Sequence, residues 1–504
     1  MRNHIKSILT KALNWSQHNK AMVLLMFLLI FLRLLNLESH VTFLGDQGRD
    51  AIIMKRILSL EHFPAIGAPT SIGMVYLGPF YYYFMAPWLL IFNFNPLGPA
   101  FGVAFLSLVL GLLALTIVNK HFGRLTGFFF LFLLTFSASN ISLGRFSWNP
   151  NLLPIFTFYT LYAFYRLLSD KPFTSLWKDV GFSLLFGALF SFSLQLHYLA
   201  AFLLPTLLVF FLYQINKTKQ FKLLFIRLLA AIASFGFFSL PLLIFDLRHN
   251  FLNSRNFIKL FSQGDVASNA SYISKLSETA TGLFQHTFQV SFNGLTSLIL
   301  LLLLLLAFVR FSGKKQSLFY WLMVVNLVFY ILGFSLMSSG RFEHYFGPVY
   351  FSLFITLGSL FAVRFTNCSL CRKIIPIFVI LYLLANFAKF RVIFTPGGYQ
   401  IKQAQSLSRF LLGKISQTPY QIASIPYTET HGQYRYFLEI FDKAPLEENS
   451  NETAELLFIL CYQKECDVLN DPQWQIAAFA NKKVAKIWNI EGVKIYKLEH
   501  RQEP

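Results

Sequence analysis

Apolar runs of 16 to 25 residues recur from Ala21 to Phe390, and their length limits what this chain can fold into more than any other feature. A helix needs about 20 apolar residues to cross a hydrocarbon layer of about 30 Å. Lipid offers no water to satisfy backbone groups, so a repeatedly crossing chain of this kind satisfies them within helices. Only 13% of the 504 residues are charged while 55% are hydrophobic, 60 of them Phe, which leaves too little polar surface for a soluble domain of this size. The first run leads into Glu38 and His40 rather than a small-residue cleavage site, so it reads as an anchor and not as a removable signal.

Candidate spans lie at about 21–37, 98–118, 125–141, 152–168, 180–213, 223–245, 294–310, 317–337, 346–363 and 373–390. The run 180–213 is too long for one crossing, about 50 Å at 1.5 Å per residue. A hairpin with its tip at "SLQLHYLA" resolves it, burying Gln195 and His197 at membrane depth, where they need protein or a wet cavity around them. A further stretch, "GPFYYYFMAPWLLIFNF" at 78–94, is interrupted by Pro79 and Pro87.

The net charge of +20 would suit nucleic acid in a soluble protein, but in a membrane protein the placement of charge decides more than its sum, and no nucleic-acid partner is expected. Eighteen basic residues form six clusters: Arg2/Lys6/Lys11/Lys20, Lys120/Arg124, Lys171/Lys178, Lys217/Lys219/Lys222/Arg227, Arg310/Lys314/Lys315 and Arg364/Arg372/Lys373. All six fall on one side only if 180–213 is two helices and 78–94 does not cross; if 78–94 crossed, 14 of the 18 would move to the far side. The expectation is a polytopic α-helical membrane protein with about 11 transmembrane helices and juxtamembrane helices in the first outer loop. Its N-terminus is cytoplasmic and it sits in the cell (inner) membrane. Residues 1–390 form the transmembrane domain, and 391–504 a small extracytoplasmic α/β domain. The latter shows a helix-like "IKQAQSLSRFLLGKI", a strand-like "ELLFILCY" and a hairpin-like "AKIWNI-EG-VKIYKLE".

Cys368 and Cys371 form a lone CxxC with no second pair, which weighs against zinc. Cys461 and Cys466 lie in the polar tail, and their spacing alone does not decide whether they pair. No internal repeat is visible.

Ionisable residues avoid the span centres and gather at the outer ends of five segments. In "FLGDQGRDA", Ile53, Ile57 and Leu60 follow helical spacing, which places Asp46 at a helix start as an N-cap, with Arg49 and Asp50 beside it. The other groups are Arg145 with Trp148, Asn149 and Asn151; His197; Asp246 with Arg248 and His249; and Arg341 with Glu343 and His344. Each alone reads equally well as an interfacial or packing residue. Together they outline an outward-facing cavity for a polar head group, with Phe-rich walls below for a lipid tail.

The order of a first span, an outer loop with an acid, "PTSIGMVYLGPFYYYFMAP" and "GPAFGVAFLSLVLGLLALTIVNKHFGRLTGFF" resembles the C-type integral-membrane glycosyltransferases, over about residues 20–390. The nearest likeness is to the bacterial protein O-mannosyltransferase and aminoarabinose (lipid A) transferase families. That resemblance implies transfer of a sugar from a polyprenyl-phosphate donor to a hydroxyl of a lipid, glycan or protein outside the membrane. It makes Asp46 the essential acid and general base, with Arg248, Arg341 and then Arg145 as donor-phosphate ligands. Arg49, Asp50, Trp148, Asn149, His197, His249 and His344 are the remaining substrate-binding candidates. Many relatives carry Asp-Glu where this chain has Asp46-Gln47, and an acid where it has Asn149 and Asn151, so a divalent metal stays open. The alternative reading is a lipid-linked oligosaccharide transporter, polymerase or ligase.

Overall fold

The computed structural model describes residues 19–70, 74–169, 176–262, 271–311, 317–415, 418–447, 450 and 452–501. Among the expected basic clusters, Arg2, Lys6, Lys11, Lys171, Lys314 and Lys315 lie outside the described residues. Helix α1 (Lys20–Leu34) is followed by a connection carrying α2 (Gly45–Leu58) and α3 (Phe80–Ile91). The bundle continues with α4 (Leu97–Phe122), α5 (Arg124–Phe136), α6 (Leu153–Leu167), α7 (Leu176–Leu196), α8 (Leu204–Thr218) and α9 (Phe221–Arg248). Then come α10 (Leu252–Ser262), α11 (Tyr272–Phe288), α12 (Gly294–Phe311), α13 (Leu318–Phe334), α14 (Gly347–Asn367) and α15 (Ser369–Phe390). Each of the eleven expected segments is helical. Among the described residues, five helices are long and apolar enough to cross a membrane by length and composition: α4 and α9 alone, α8 and α14 with the 3₁₀ turns that precede them, and α15 with the one that follows it.

Burial separates the inside of the bundle from its rim. Every residue from Gly347 to Ser359 of α14 is buried, as befits a helix that is apolar all round. Helix α9 instead exposes Phe225, Leu229, Ile232 and Phe237, an apolar rim suited to lipid. Helix α3 has 12 residues and is therefore about 18 Å long, too short to span. It packs across α2 and α4 as a juxtamembrane element.

The long run does break at His197, where α7 ends and a 3₁₀ turn, Tyr198–Leu203, leads into α8. Gln195 is buried and fully engaged: its amide donates to Ser191 Oγ (3.0 Å) and the Phe238 carbonyl (2.9 Å), and its Oε1 accepts from Phe80 N (3.2 Å). The two arms then diverge. Helix α7 packs on α6 and α9, whereas α8 packs on α13, so the break opens space instead of closing a tight hairpin.

After α15, the chain forms α16 (Gln400–Leu412), β1 (Tyr420–Ile425), α17 (Gly432–Ile440), β2 (Leu456–Cys461), β3 (Lys482–Ile490) and β4 (Val493–His500). The sheet order is β1-β2-β4-β3. Strands β1 and β2 are parallel with α17 crossing between them, and the others are antiparallel. Glu491 and Gly492 both have positive φ (50° and 83°), the backbone of a two-residue hairpin turn that matches strand twist. The sequence reading did not identify strand β1 or helix α17, although α17 buries Tyr434, Phe437 and Leu438 at helical spacing. Cys461 and Cys466 are disulfide-bonded, as are Cys368 and Cys371 at the opposite end of the bundle.

Candidate active site

Helix α2 begins two residues earlier than an N-cap at Asp46 would have it. The N-cap is Leu44, whose N–H donates to Gln47 Oε1 (3.0 Å), so Gln47 does the capping and Asp46 lies in the first turn. A first-turn carboxylate is still favoured by the helix dipole, and relief from capping leaves it half-exposed. The buried face of α2 is Gln47, Asp50, Ala51, Met54 and Ile57; Leu60 lies beyond the helix end at Ser59 and is exposed.

Two cavities meet at this first turn, and Asp46 and Arg49 line both. The smaller, about 520 Å³, lies at the bundle end and takes its walls from Ala68–Thr70, Val75, Leu77, Trp148–Pro150, His197–Leu199, Ala201, Phe202, Phe257, Met337, Phe342, His344 and Tyr345. The loops expected on one side therefore do converge. The turns that lead into α8 and α14 line this cavity, and those helices carry Lys217 and Arg364 in their last turns, so these two basic groups sit at the opposite end of the bundle. The larger cavity, about 1130 Å³, lies between α2 and the α/β segment.

One guanidinium organises the acids. Arg49 NH1 donates to Asp46 Oδ1 (2.9 Å), and its Nε and NH2 donate to Asp50 Oδ1 (3.0 and 2.7 Å). Asp50 is 1% exposed, not solvated; burial raises its carboxyl above the ordinary range, with Arg49 opposing. Burial acts to lower Arg49, but Asp50, Tyr82 and Asp46 outweigh it and the guanidinium is raised, so it stays charged. Asp46 is thus fixed from one oxygen by a permanent cation.

Of the other sequence candidates, Trp148, Asn149, His197 and His344 line the smaller cavity with Asp46 and Arg49. His344 packs edge-on against Trp148 (4.6 Å between centroids) and faces His197 at 6.1 Å. Leu199 N–H donates to His197 Nδ1 (3.2 Å), leaving Nε2 to carry the proton of a neutral ring. Asn149 is 2% exposed, and neither of its amide atoms has a partner, an uncommon state for a buried polar group.

The three arginines expected at a phosphate lie elsewhere. Arg145 is buried and donates to the carbonyls of Leu32 (2.8 Å), Arg33 (2.9 Å) and Leu35 (2.6 Å) at the end of α1. Burial pushes it down to about 10, still cationic at neutral pH, and its role here is a helix C-terminal clamp. Arg341 is occupied by Thr279 Oγ1 (2.9 Å) and the carbonyls of Met337 (2.9 Å) and Ser339 (2.5 Å), over the face of Phe334. Arg248 and His249 are exposed at the end of α9, with His249 stacked on Phe245. The neighbouring Asp246 is a buried staple accepting from Asn253 N (2.7 Å) and Ser254 N (3.2 Å).

The sequence reading missed Tyr198, Phe342 and Tyr345 of the smaller cavity and the whole α/β wall of the larger one. It also missed how that wall docks. A Cβ on Gly48 would lie 2.2 Å from Gly432 C and Gln433 N, and one on Gly432 would lie 2.3 Å from Gly45 O. The spacing Gly45-x-x-Gly48 was the available signal, since it puts two side-chain-free positions on one helix face. Among the described residues, no group of three or more His, Cys, Asp or Glu is placed to hold a metal ion, and Asp46 and Asp50 are both joined to Arg49.

No family model and no curated protein sequence matches the chain. Solved structures do match, two of them states of one protein. ArnT from Cupriavidus metallidurans bound to undecaprenyl phosphate superposes with a TM-score of 0.59 at 13% identity, covering 96% of this chain and 98% of that one. The apo state of the same protein gives 0.58 at 12% identity, covering 97% and 98%. The chain therefore has the fold of a C-type membrane glycosyltransferase over nearly its whole length.

Proposed function

We propose that this chain transfers a sugar from a polyprenyl-phosphate donor to a hydroxyl acceptor on the outer face of the membrane, with Asp46 as general base. The observation that carries the proposal is that Asp46 stands in the wall shared by an apolar cavity and a more polar one. A donor held in the smaller cavity brings its anomeric carbon to one side of this carboxylate. An acceptor in the larger cavity brings its hydroxyl to the other. The hydroxyl loses its proton to Asp46 as it attacks, through an oxocarbenium-like transition state. The departing phosphate gains charge, and Arg49, the Asn149 amide and the His197 and His344 rings are the donors lining its cavity. Leu199, Phe202 and Met337 give that cavity the apolar wall a prenyl chain needs. The undecaprenyl phosphate bound by ArnT supports a lipid phosphate as the donor's carrier. The outer location rests on the two basic groups at the opposite end of the bundle.

The test is incubation of the purified protein with a panel of polyprenyl-phosphate sugars, following free polyprenyl phosphate. Asp46→Asn should abolish release while insertion and abundance hold. Near-normal turnover in that variant overturns the base assignment, and no release from any donor favours the transporter, polymerase or ligase reading.

A further inference from the structure

We infer that the larger cavity is the acceptor site, and that the acceptor it takes is a neutral, water-soluble glycan gripped by the α/β segment. The inference rests on the transferase reading above and names its acceptor class.

Every residue lining this cavity comes from the first three turns of α2 or from 425–475; none comes from a long bundle helix. An acceptor seated here therefore reaches Asp46 without a lipid tail entering the bundle. Six of the cavity's seven Asp, Glu and Arg side chains are matched among themselves, and the seventh, Asp471, accepts from Gln473 N. Arg56 NH2 contacts Glu439 (2.9 Å) and Glu447 (2.6 Å), Arg435 lies 3.8 Å from Glu447, and Arg49 holds Asp46. A phosphorylated or carboxylated head group would have to break these pairs, whereas sugar hydroxyls can donate to the carboxylates and accept from the guanidinium groups while the pairs stay intact.

Two large aromatics on this wall are left uncovered by the fold. Trp474 is 72% exposed and Tyr427 is 76% exposed. Aromatic rings of this size are normally buried for their area, and exposed ones within a cavity wall point to a ligand that covers them. The C–H faces of a pyranose ring are such a cover. Beside Trp474 in the same wall stands Gln473, whose N–H donates to Asp471 Oδ1 (2.9 Å) while its own Oε1 is buried with no partner among the described residues. A hydroxyl donor is what that oxygen lacks. Stacking faces, side-chain amides and internally paired charges together describe a carbohydrate site, placed across Asp46 from the donor cavity.

The experiment is binding of the full-length wild-type protein to soluble maltohexaose, cellohexaose, chitohexaose and mannohexaose by isothermal titration, repeated with Trp474→Ala, Tyr427→Ala and Gln473→Ala. The exposed positions of Trp474 and Tyr427 make these variants safe for the fold, which the unfolding temperature checks. At least one oligosaccharide should bind wild type, and each variant should weaken it tenfold or more while polyprenyl-phosphate binding is unchanged. Binding to no member of the panel, or binding that Trp474→Ala and Tyr427→Ala leave intact, overturns the inference. Because the readout needs no turnover, the two readings fail separately. Glycan binding with no sugar transfer leaves the acceptor site standing without the transferase, and donor turnover with no glycan binding does the reverse.

Discussion

Gly48→Ala is the sharpest probe of how the catalytic acid is held. The Cβ added there would lie 2.2 Å from two backbone atoms of α17, whereas ordinary contact begins at 3.4 Å. Backbone cannot rotate out of the way, so α2 and α17 must part by about 1.2 Å, the difference between those distances. Overpacking of this kind costs about 1–3 kcal/mol of stability, too little to unfold a chain of this size. The larger effect is geometric. Asp46 lies two residues before Gly48 on the same turn, and both proposed substrates meet across this joint. A misplacement of about 1 Å can cost on the order of 100-fold in rate. The assay is release of polyprenyl phosphate by Gly48→Ala at substrate saturation, beside its unfolding temperature. Gly432→Ala, whose Cβ would strike Gly45 O at 2.3 Å, should behave alike. Gly236→Ala, with nothing within 4 Å, should not lower activity. Turnover of folded Gly48→Ala within twofold of wild type would refute the claim that this contact positions Asp46.

Two further substitutions separate structural from substrate-binding groups. Arg145→Ala strips three carbonyls at the end of α1 of their donor and should cost on the order of 3 kcal/mol, read as a lowered unfolding temperature in detergent with polyprenyl-phosphate affinity retained. Loss of that affinity at an unchanged unfolding temperature would restore Arg145 as a phosphate ligand. Arg248→Ala and His249→Ala should leave turnover within twofold, because neither residue lines either cavity. His344→Ala, which removes a cavity wall, should lower polyprenyl-phosphate affinity at least tenfold; equal effects in all three would contradict the donor-site placement.

The distribution of apolar and basic residues determined, by itself, that this chain forms a helical membrane bundle and that its longest apolar run breaks near His197. These are properties of local composition and length, and a bilayer reads them segment by segment. The hairpin through Glu491 and Gly492 was legible for the same reason, since a two-residue turn is decided by its own backbone. The gathering of Asp46, Arg49, Trp148, Asn149, His197 and His344 at one cavity also followed, because topology alone puts their segments at one end. What each arginine does was decided only by tertiary structure. Arg145 and Arg49 look alike in sequence, each polar and just past an apolar run. One spends its donors on carbonyls more than a hundred residues away, and the other bridges two carboxylates within its own helix. A guanidinium goes to whichever unsatisfied acceptors lie within reach, and unsatisfied acceptors are created by helix ends whose positions only packing fixes. The docking of α17 on the two glycines of α2 belongs to the same class: the spacing Gly45-x-x-Gly48 permits a close approach, and only the fold supplies the partner.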